Sequence, residues 1–206
     1  MIILGLTTMT DSSACLMIDG KLLFASEEER FSRIKHHRGY PINTIKYILK
    51  TYKIKMSDID IVSVGWNPYE IGTRAKYLAN TLFTNPKKFY TKIRRSFDVF
   101  KGSNNDQFNY DGVLDLYRVK SILKKFFFDL PKSIKFYDHH QSHNYSAIYY
   151  SKFKDAACLV LDGAGESKCT SISFFNNENL FEIDNVKLPN SLGHFYSSIT
   201  GFLGFK

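Results

Sequence analysis

Short apolar stretches bounded by turn residues open the chain: Ile2 to Leu6, Ala14 to Ile18 and Leu22 to Ser26 are expected as three strands, with Asp19-Gly20 as a tight hairpin turn between the second and third. Pro41 suits a first helical turn, and Ile42, Ile45, Ile48, Leu49 and Tyr52 recur at helical spacing, so an amphipathic helix is predicted to about Tyr52. Ile59 to Val64 reads as a buried strand. Arg74 to Phe100 reads as helical with a break at Asn85-Pro86, and the polar run Gly102 to Gly112 as a loop. A helix over Val113 to Phe128, a strand over Ile134 to Tyr137, a helix over His139 to Tyr150 and an almost wholly apolar strand over Ala157 to Leu161 complete this part.

From Ala157 onward the chain repeats the pattern of its start. Ala157 to Leu161, Thr170 to Phe175 and Leu180 to Val186 are expected as three successive strands, with Asn176 to Asn179 as a turn, and Ser191 to Phe202 as a helix. This is the order β, β, β, α read from Ile2 to Tyr52. Both copies place a small polar loop after the first strand, residues 7–13 in one and 162–167 in the other. Two such lobes, each offering loop N–H groups to phosphate, describe an α/β chain of the actin-like ATPase (ribonuclease H-like) fold. The expected division is residues 1–156 as a complete first lobe, with a basic helical insertion at about 67–130, and 157–206 as the start of a truncated second lobe. Phe195, Phe202, Leu203 and Phe205 are then expected to lack packing partners.

Composition narrows the class. With 206 residues, 44% hydrophobic and 23% charged, the chain is globular rather than disordered or collagen-like. No apolar run approaches the roughly 20 residues of a membrane helix. Met1-Ile2-Ile3-Leu4-Gly5 lacks the basic segment of a secretory signal, so a cytoplasmic protein with no membrane partner is expected. Cys15, Cys158 and Cys169 are odd in number with no paired spacing, which predicts reduced, structural thiols. The net charge is +8, and eight basic residues against the single acid Asp98 put +7 of charge between Ile71 and Lys101. A solvated helical face accounts for this segment more simply than phosphate, RNA or an acidic partner, so nucleic acid is not the expected ligand.

The chemistry concentrates in Asp138-His139-His140-Gln141-Ser142-His143. On a helix, His139 and His143 project from one face at the spacing two imidazoles need to share a metal; the alternative is a surface or capping histidine pair. Asp162, at the C-terminal end of a buried strand and followed by Gly163-Ala164-Gly165, is the candidate third ligand, with a turn or cap role as the alternative. Two nitrogens and an oxygen suit Fe(II), Mn(II) or Zn(II). Gly163, Ala164 and Gly165 are candidates for backbone approach to a phosphate, as are Asp11, Ser12 and Ser13 in the first loop; ordinary turn chemistry is the alternative for both. Within Glu27 to His36, Arg30, Arg33 and Lys35 are candidates for holding an anionic substrate, against an ion-paired surface turn.

These blocks, with Leu4-Gly5-Leu6, Asp11-Ser12-Ser13-Ala14, Asp19-Gly20-Lys21, Glu27 to His36, Leu161-Asp162-Gly163 and Ser191-Leu192-Gly193, together resemble the NodU/CmcH-type O-carbamoyltransferases, along nearly the whole chain but only over the front of the family. The resemblance implies an enzyme that converts carbamoyl phosphate and ATP, with Mg, to a carbamoyl-adenylate and passes the carbamoyl group to a hydroxyl of a small-molecule acceptor. It implies a divalent metal, Fe(II) first, on His139, His143 and Asp162, with a fourth ligand, the adenosine-binding part of lobe two and the adenylate-forming domain beyond Lys206. It also implies charge stabilisation on the leaving group by Arg30, Arg33 and Lys35. Met9-Thr10 stand where the family usually has a histidine, and a threonine hydroxyl does not accept a proton near pH 7. Two alternatives stand beside this: a relative of the tRNA threonylcarbamoyl-transfer proteins, and an inactive remnant or half-enzyme that requires a companion chain carrying the missing C-terminal part.

Overall fold

The computed structural model describes residues 1–9, 11–70, 82–84, 86–87, 90 and 113–205. The expected basic helix over 74–100 and loop over 102–112 lie outside these residues, apart from 82–84, 86–87 and 90, which are helical. The described residues form two compact units, one of 1–68 and the described part of 81–136, the other containing 137–205.

The first unit is built on a five-stranded sheet. Strands β1 (Ile2–Thr7), β2 (Ser13–Ile18) and β3 (Lys21–Glu27) form an antiparallel meander, and β4 (Ile61–Val64) and β5 (Ser133–Phe136) extend it in parallel, giving the order β3-β2-β1-β4-β5. Helices α1 (Glu29–Ser32), α2 (Ile42–Tyr52) and α3 (Val119–Phe127) complete the unit. The helix expected from Val113 begins as a 3-10 turn over Val113–Arg118 and becomes α-helical only at Val119, where Val119, Ile122 and Leu123 reach the core. That core is the set of apolar positions picked out by periodicity: Leu4, Leu16, Ile45, Ile48, Ile59, Val62 and Leu123 are all fully buried. Three antiparallel strands followed by parallel ones in this order are the ribonuclease H-like arrangement on which actin-like proteins are built.

Helix α2 shows how distant residues complete a local element. Pro41 opens it and supplies no side-chain cap. Glu28, 1% exposed, does so instead: its Oε1 accepts from Asn43 N (3.0 Å) and Nδ2 (2.8 Å), and its Oε2 from Thr44 N (2.9 Å) and Oγ1 (2.7 Å). A carboxylate at the positive end of a helix satisfies amides that have no partner within the helix.

In the second unit, α4 (His139–Ser151) precedes an antiparallel sheet in the order β6-β7-β8, formed by β6 (Asp155–Leu161), β7 (Lys168–Asn176) and β8 (Asn179–Lys187), and α5 (Leu192–Phe202) comes last. The repeated order β, β, β, α is therefore present. The compact units divide between Phe136 and Tyr137, ahead of the 156/157 boundary expected from the pattern, because α4 packs on β6 and β7. Cys15, Cys158 and Cys169 are free thiols, and Phe195, Phe202, Leu203 and Phe205 are exposed. No described helix is long and apolar enough to cross a membrane.

Candidate metal centre

The start of α4 is fixed by Asp138, whose carboxylate accepts the Gln141 N–H at 2.8 Å as an N-cap. His139 is thereby the first helical residue, and His143 lies one turn on. Their rings meet edge to face with centroids 4.5 Å apart, and the two Nε2 atoms are 3.1 Å apart. Strand β6 ends at Leu161 and delivers Asp162 to the same place, with Oδ2 3.0 Å from His139 Nε2. One donor atom from each of the three residues lies within 4.8 Å of the others.

The electrostatics match a cation-binding set. The His139 imidazole beside Asp162, helped by the Gly163 N–H at 2.6 Å, holds the carboxyl down to about 2 against the opposing effect of burial. Asp162 Oδ2 is buried, with His139 Nε2 as its neighbour at 3.0 Å. Burial, and then the neighbouring His139, push the His143 pKa down, so its imidazole is neutral near pH 7 with a nitrogen lone pair to offer. Ligand bonds of about 2.1 Å to one ion at angles between octahedral and tetrahedral put two nitrogens about 3.0 to 3.4 Å apart, and the Nε2 pair falls in that interval. Two imidazole nitrogens and an ionised carboxylate oxygen fit a divalent transition metal.

Residues outside the trio hold it in register. Glu166, 3% exposed, accepts the His139 N–H with both oxygens, at 3.2 and 3.1 Å. His140, fully buried, has Nδ1 2.9 Å from Ser171 Oγ on β7 and packs its ring against Gly165, where an added Cβ would stand 3.0 Å from Cδ2. Ser191 caps α5 by accepting from His194 N at 3.0 Å, while its hydroxyl lies 3.0 Å from Asp162 O and 2.8 Å from Gly163 O. Gly193 then brings the helix backbone against the Asp162-Gly163 peptide: a Cβ there would sit 2.7 Å from Asp162 C and O and from Gly163 N. Since those are backbone atoms, no rotamer change relieves the clash. Gly193→Ala is expected to displace Asp162 and lower metal affinity at least tenfold, whereas Gly201→Ala, with open space around its Cβ, is expected to leave it unchanged; calorimetric titration of both variants checks this.

The sequence singled out the two histidines and Asp162, and the fold brings them together. Glu166, His140 and Gly193 were missed as supports. His140 lay within the Asp138 to His143 block and Gly193 within the Ser191-Leu192-Gly193 helix start, but spacing alone does not show what either residue touches. Gly163, Ala164 and Gly165 form the loop after β6, yet Gly163 N–H is directed to Asp162 Oδ1 and Gly165 N–H to Lys168 O at 2.7 Å. Both glycine amides therefore stabilise the loop itself. In the first unit, Asp11 Oδ1 lies 2.8 Å from His36 Nδ1, Ser12 is fully buried with its Oγ lacking a hydrogen-bond partner among the described residues, and Ser13 opens β2. Arg30 sits exposed on α1 with carboxylates of Glu27 and Glu29 at 3.7 and 3.8 Å, Arg33 is the left-handed residue that ends α1 (φ 59°), and Lys35 is exposed in the turn beyond.

Known proteins share this sequence pattern. The family model described as carbamoyltransferase N-terminus matches residues 2–206. An uncharacterized protein of Methanocaldococcus jannaschii is 33% identical over 204 residues, covering 99% of this chain and 30% of that protein. Nodulation protein NolNO of Sinorhizobium fredii is 27% identical over 200 residues, covering 97% of this chain and 26% of its own length. The chain thus spans less than a third of these relatives. The solved structure of YeaZ from Pseudomonas aeruginosa aligns with a TM-score of 0.44 at 12% identity over 91% of this chain and 67% of that one.

Proposed function

The chain belongs to the carbamoyltransferase N-terminus family, and on that premise we propose that it contributes the metal-binding half of a carbamoyl-transfer site, acting on a carbamoyl-adenylate made from carbamoyl phosphate and Mg-ATP. The observation that carries this is the convergence of His139, His143 and Asp162 donor atoms within 4.8 Å, in a chain matched by that family over its whole length. In the transfer, the acceptor hydroxyl oxygen bonds to the carbamoyl carbon as the bond from that carbon to the adenylate phosphate oxygen breaks. The acceptor releases its proton, and AMP leaves with the electron pair. The acceptor is a hydroxylated small molecule.

When bound, a divalent metal, Fe(II) or else Mn(II) or Zn(II), supplies positive charge that orients and offsets phosphate or carbamoyl oxygens. The chain's own residues do the rest. His139 and His143 present imidazole nitrogens from a helix whose start Asp138 fixes. Asp162 stays ionised at any physiological pH, being held near 2. Glu166, Ser191 and Gly193 keep the ligand-bearing backbones in register.

The test is binding of a non-hydrolysable carbamoyl-adenylate analogue to the chain loaded with Fe(II) or Mn(II), measured by calorimetry. Metal-dependent binding that disappears in His143→Ala is the expected result. A metal-loaded chain that ignores the analogue would overturn the assignment, and steeply salt-dependent tRNA binding would turn it toward threonylcarbamoyl transfer.

A further inference from the structure

Helix α4 carries the two histidines of the trio, yet it has no apolar stripe to seat it. Its buried residues are His140 and Asn144, 1% and 3% exposed and one turn apart. Both meet serines of β7. His140 Nδ1 lies 2.9 Å from Ser171 Oγ, and Asn144 Nδ2 donates to Ser173 Oγ at 3.3 Å. Both serines are fully buried, and they alternate along the strand with Ile172 and Phe174, which stand on its other face. The two positions of β7 beneath α4 are therefore polar, where a strand under a helix is ordinarily apolar.

Spacing ties this polar seam to the metal centre. His140 and Asn144 follow His139 and His143 by one residue each, roughly 100° around the helix. Turning α4 about its axis moves both pairs together. At a side-chain radius of about 5 to 6 Å, a turn of about 15° carries the Nε2 atoms about 1.5 Å, against a tolerance of about 0.2 Å in a metal–ligand bond. Apolar packing has no preferred direction and permits such a turn, whereas a hydrogen bond weakens steeply once its angle falls. The third donor is held by the same strand: Asp162 N–H donates to Cys169 O at 2.9 Å, two residues before Ser171. Strand β7 is thus the common reference for all three donors.

We propose that the seam of His140 and Asn144 with Ser171 and Ser173 positions the metal centre, by setting the rotation of α4 at which His139 and His143 face Asp162. Stability alone does not call for it. Replacing both partners of a buried hydrogen bond by apolar groups is close to neutral. An apolar seam would also avoid burying His140 Nε2, which has no hydrogen-bond partner among the described residues. This role rests on the metal binding proposed above, and it brings in Asn144, Ser171 and Ser173 as positioning residues that are not themselves ligands.

Asn144→Leu combined with Ser173→Ala exchanges one hydrogen bond for apolar contact and leaves the trio in place. This double variant is expected to keep the circular dichroism spectrum and urea midpoint of wild type, but to bind Mn(II) or Co(II) at least tenfold more weakly by calorimetry. The visible absorption of its Co(II) complex should shift as well, since that signal reports ligand geometry and not stability. Ser171→Ala, which removes a single hydroxyl, should do the same, whereas Ile172→Ala on the opposite face of β7 should change neither affinity nor absorption. Wild-type affinity and absorption in the folded double variant overturn the seam; should that variant fail to fold, the same result in Ser171→Ala overturns it. An equal loss in Ile172→Ala also overturns it, because any disturbance of β7 would then suffice. A wild-type chain that takes up no metal removes the metal centre and the seam together, while wild-type uptake with unaffected variants removes the seam alone.

Discussion

Replacing His139 by alanine is expected to lower the affinity of the chain for Fe(II), Mn(II) or Zn(II) by more than about 100-fold, since even loss of a residue that only orients a ligand costs 10- to 100-fold. His139 is the centre of the trio: its Nε2 lies 3.1 Å from His143 Nε2 and 3.0 Å from Asp162 Oδ2. Its removal leaves two donors on opposite sides of a gap. It also removes the main influence holding the Asp162 carboxyl near 2. His143→Ala should match it in affinity. Calorimetric titration and metal content after dialysis give the measurement. Without metal, both variants should unfold close to wild type, because His139 is only half-buried and His143 is exposed. With metal, only wild type should gain thermal stability, by the linkage between ligand concentration and affinity. Retention of a stoichiometric metal by both variants would remove this site from consideration.

Glu28→Ala should be the most destabilising single change in the first unit, by roughly 3 to 5 kcal/mol. Four donors, two of them backbone amides of the first turn of α2, lose a fully buried carboxylate, and hydrogen bonds to a charged group are each worth about 1.5 to 3 kcal/mol before the chain relaxes around them. Glu28→Gln keeps one acceptor but turns an amide NH₂ toward a donor, so a smaller loss of about 1 to 3 kcal/mol is expected. Urea unfolding monitored by circular dichroism separates these values. Glu28 lies inside the dense charged block that also carries Arg30 and Arg33, so its loss should disorder the turn that presents them. Wild-type stability in Glu28→Ala would show that the carboxylate is not what holds α2, and would place Glu28 among the substrate-facing charges instead.

The contrast between His139 and Glu28 measures how far the sequence reaches. Strands β1 to β3 and β6 to β8 were legible because apolar runs of five to seven residues alternate with turn chemistry, and the repeat emerged from their order. The His139 and His143 pair was legible because helical spacing is a local property and Asp138 marks where the helix starts. Asp162 was legible because a strand end is a local property too. Glu28 was not: its acceptors serve amides 15 and 16 residues away, and nothing in Glu27-Glu28-Glu29 separates a buried cap from its exposed neighbours. Gly163 and Gly165 had the composition of a phosphate loop, but their N–H groups turn inward to Asp162 and Lys168. Gly193 looked like an ordinary helix glycine until its approach to Asp162 was seen.

The sequence by itself determined the elements, their repeated order and the three candidate metal-binding residues, since each depends on spacing within a few residues. Only the tertiary structure decided which charges are buried and which amides are already engaged. Those depend on what meets across long stretches of chain, and periodicity records which face of a strand or helix is apolar without recording what covers it.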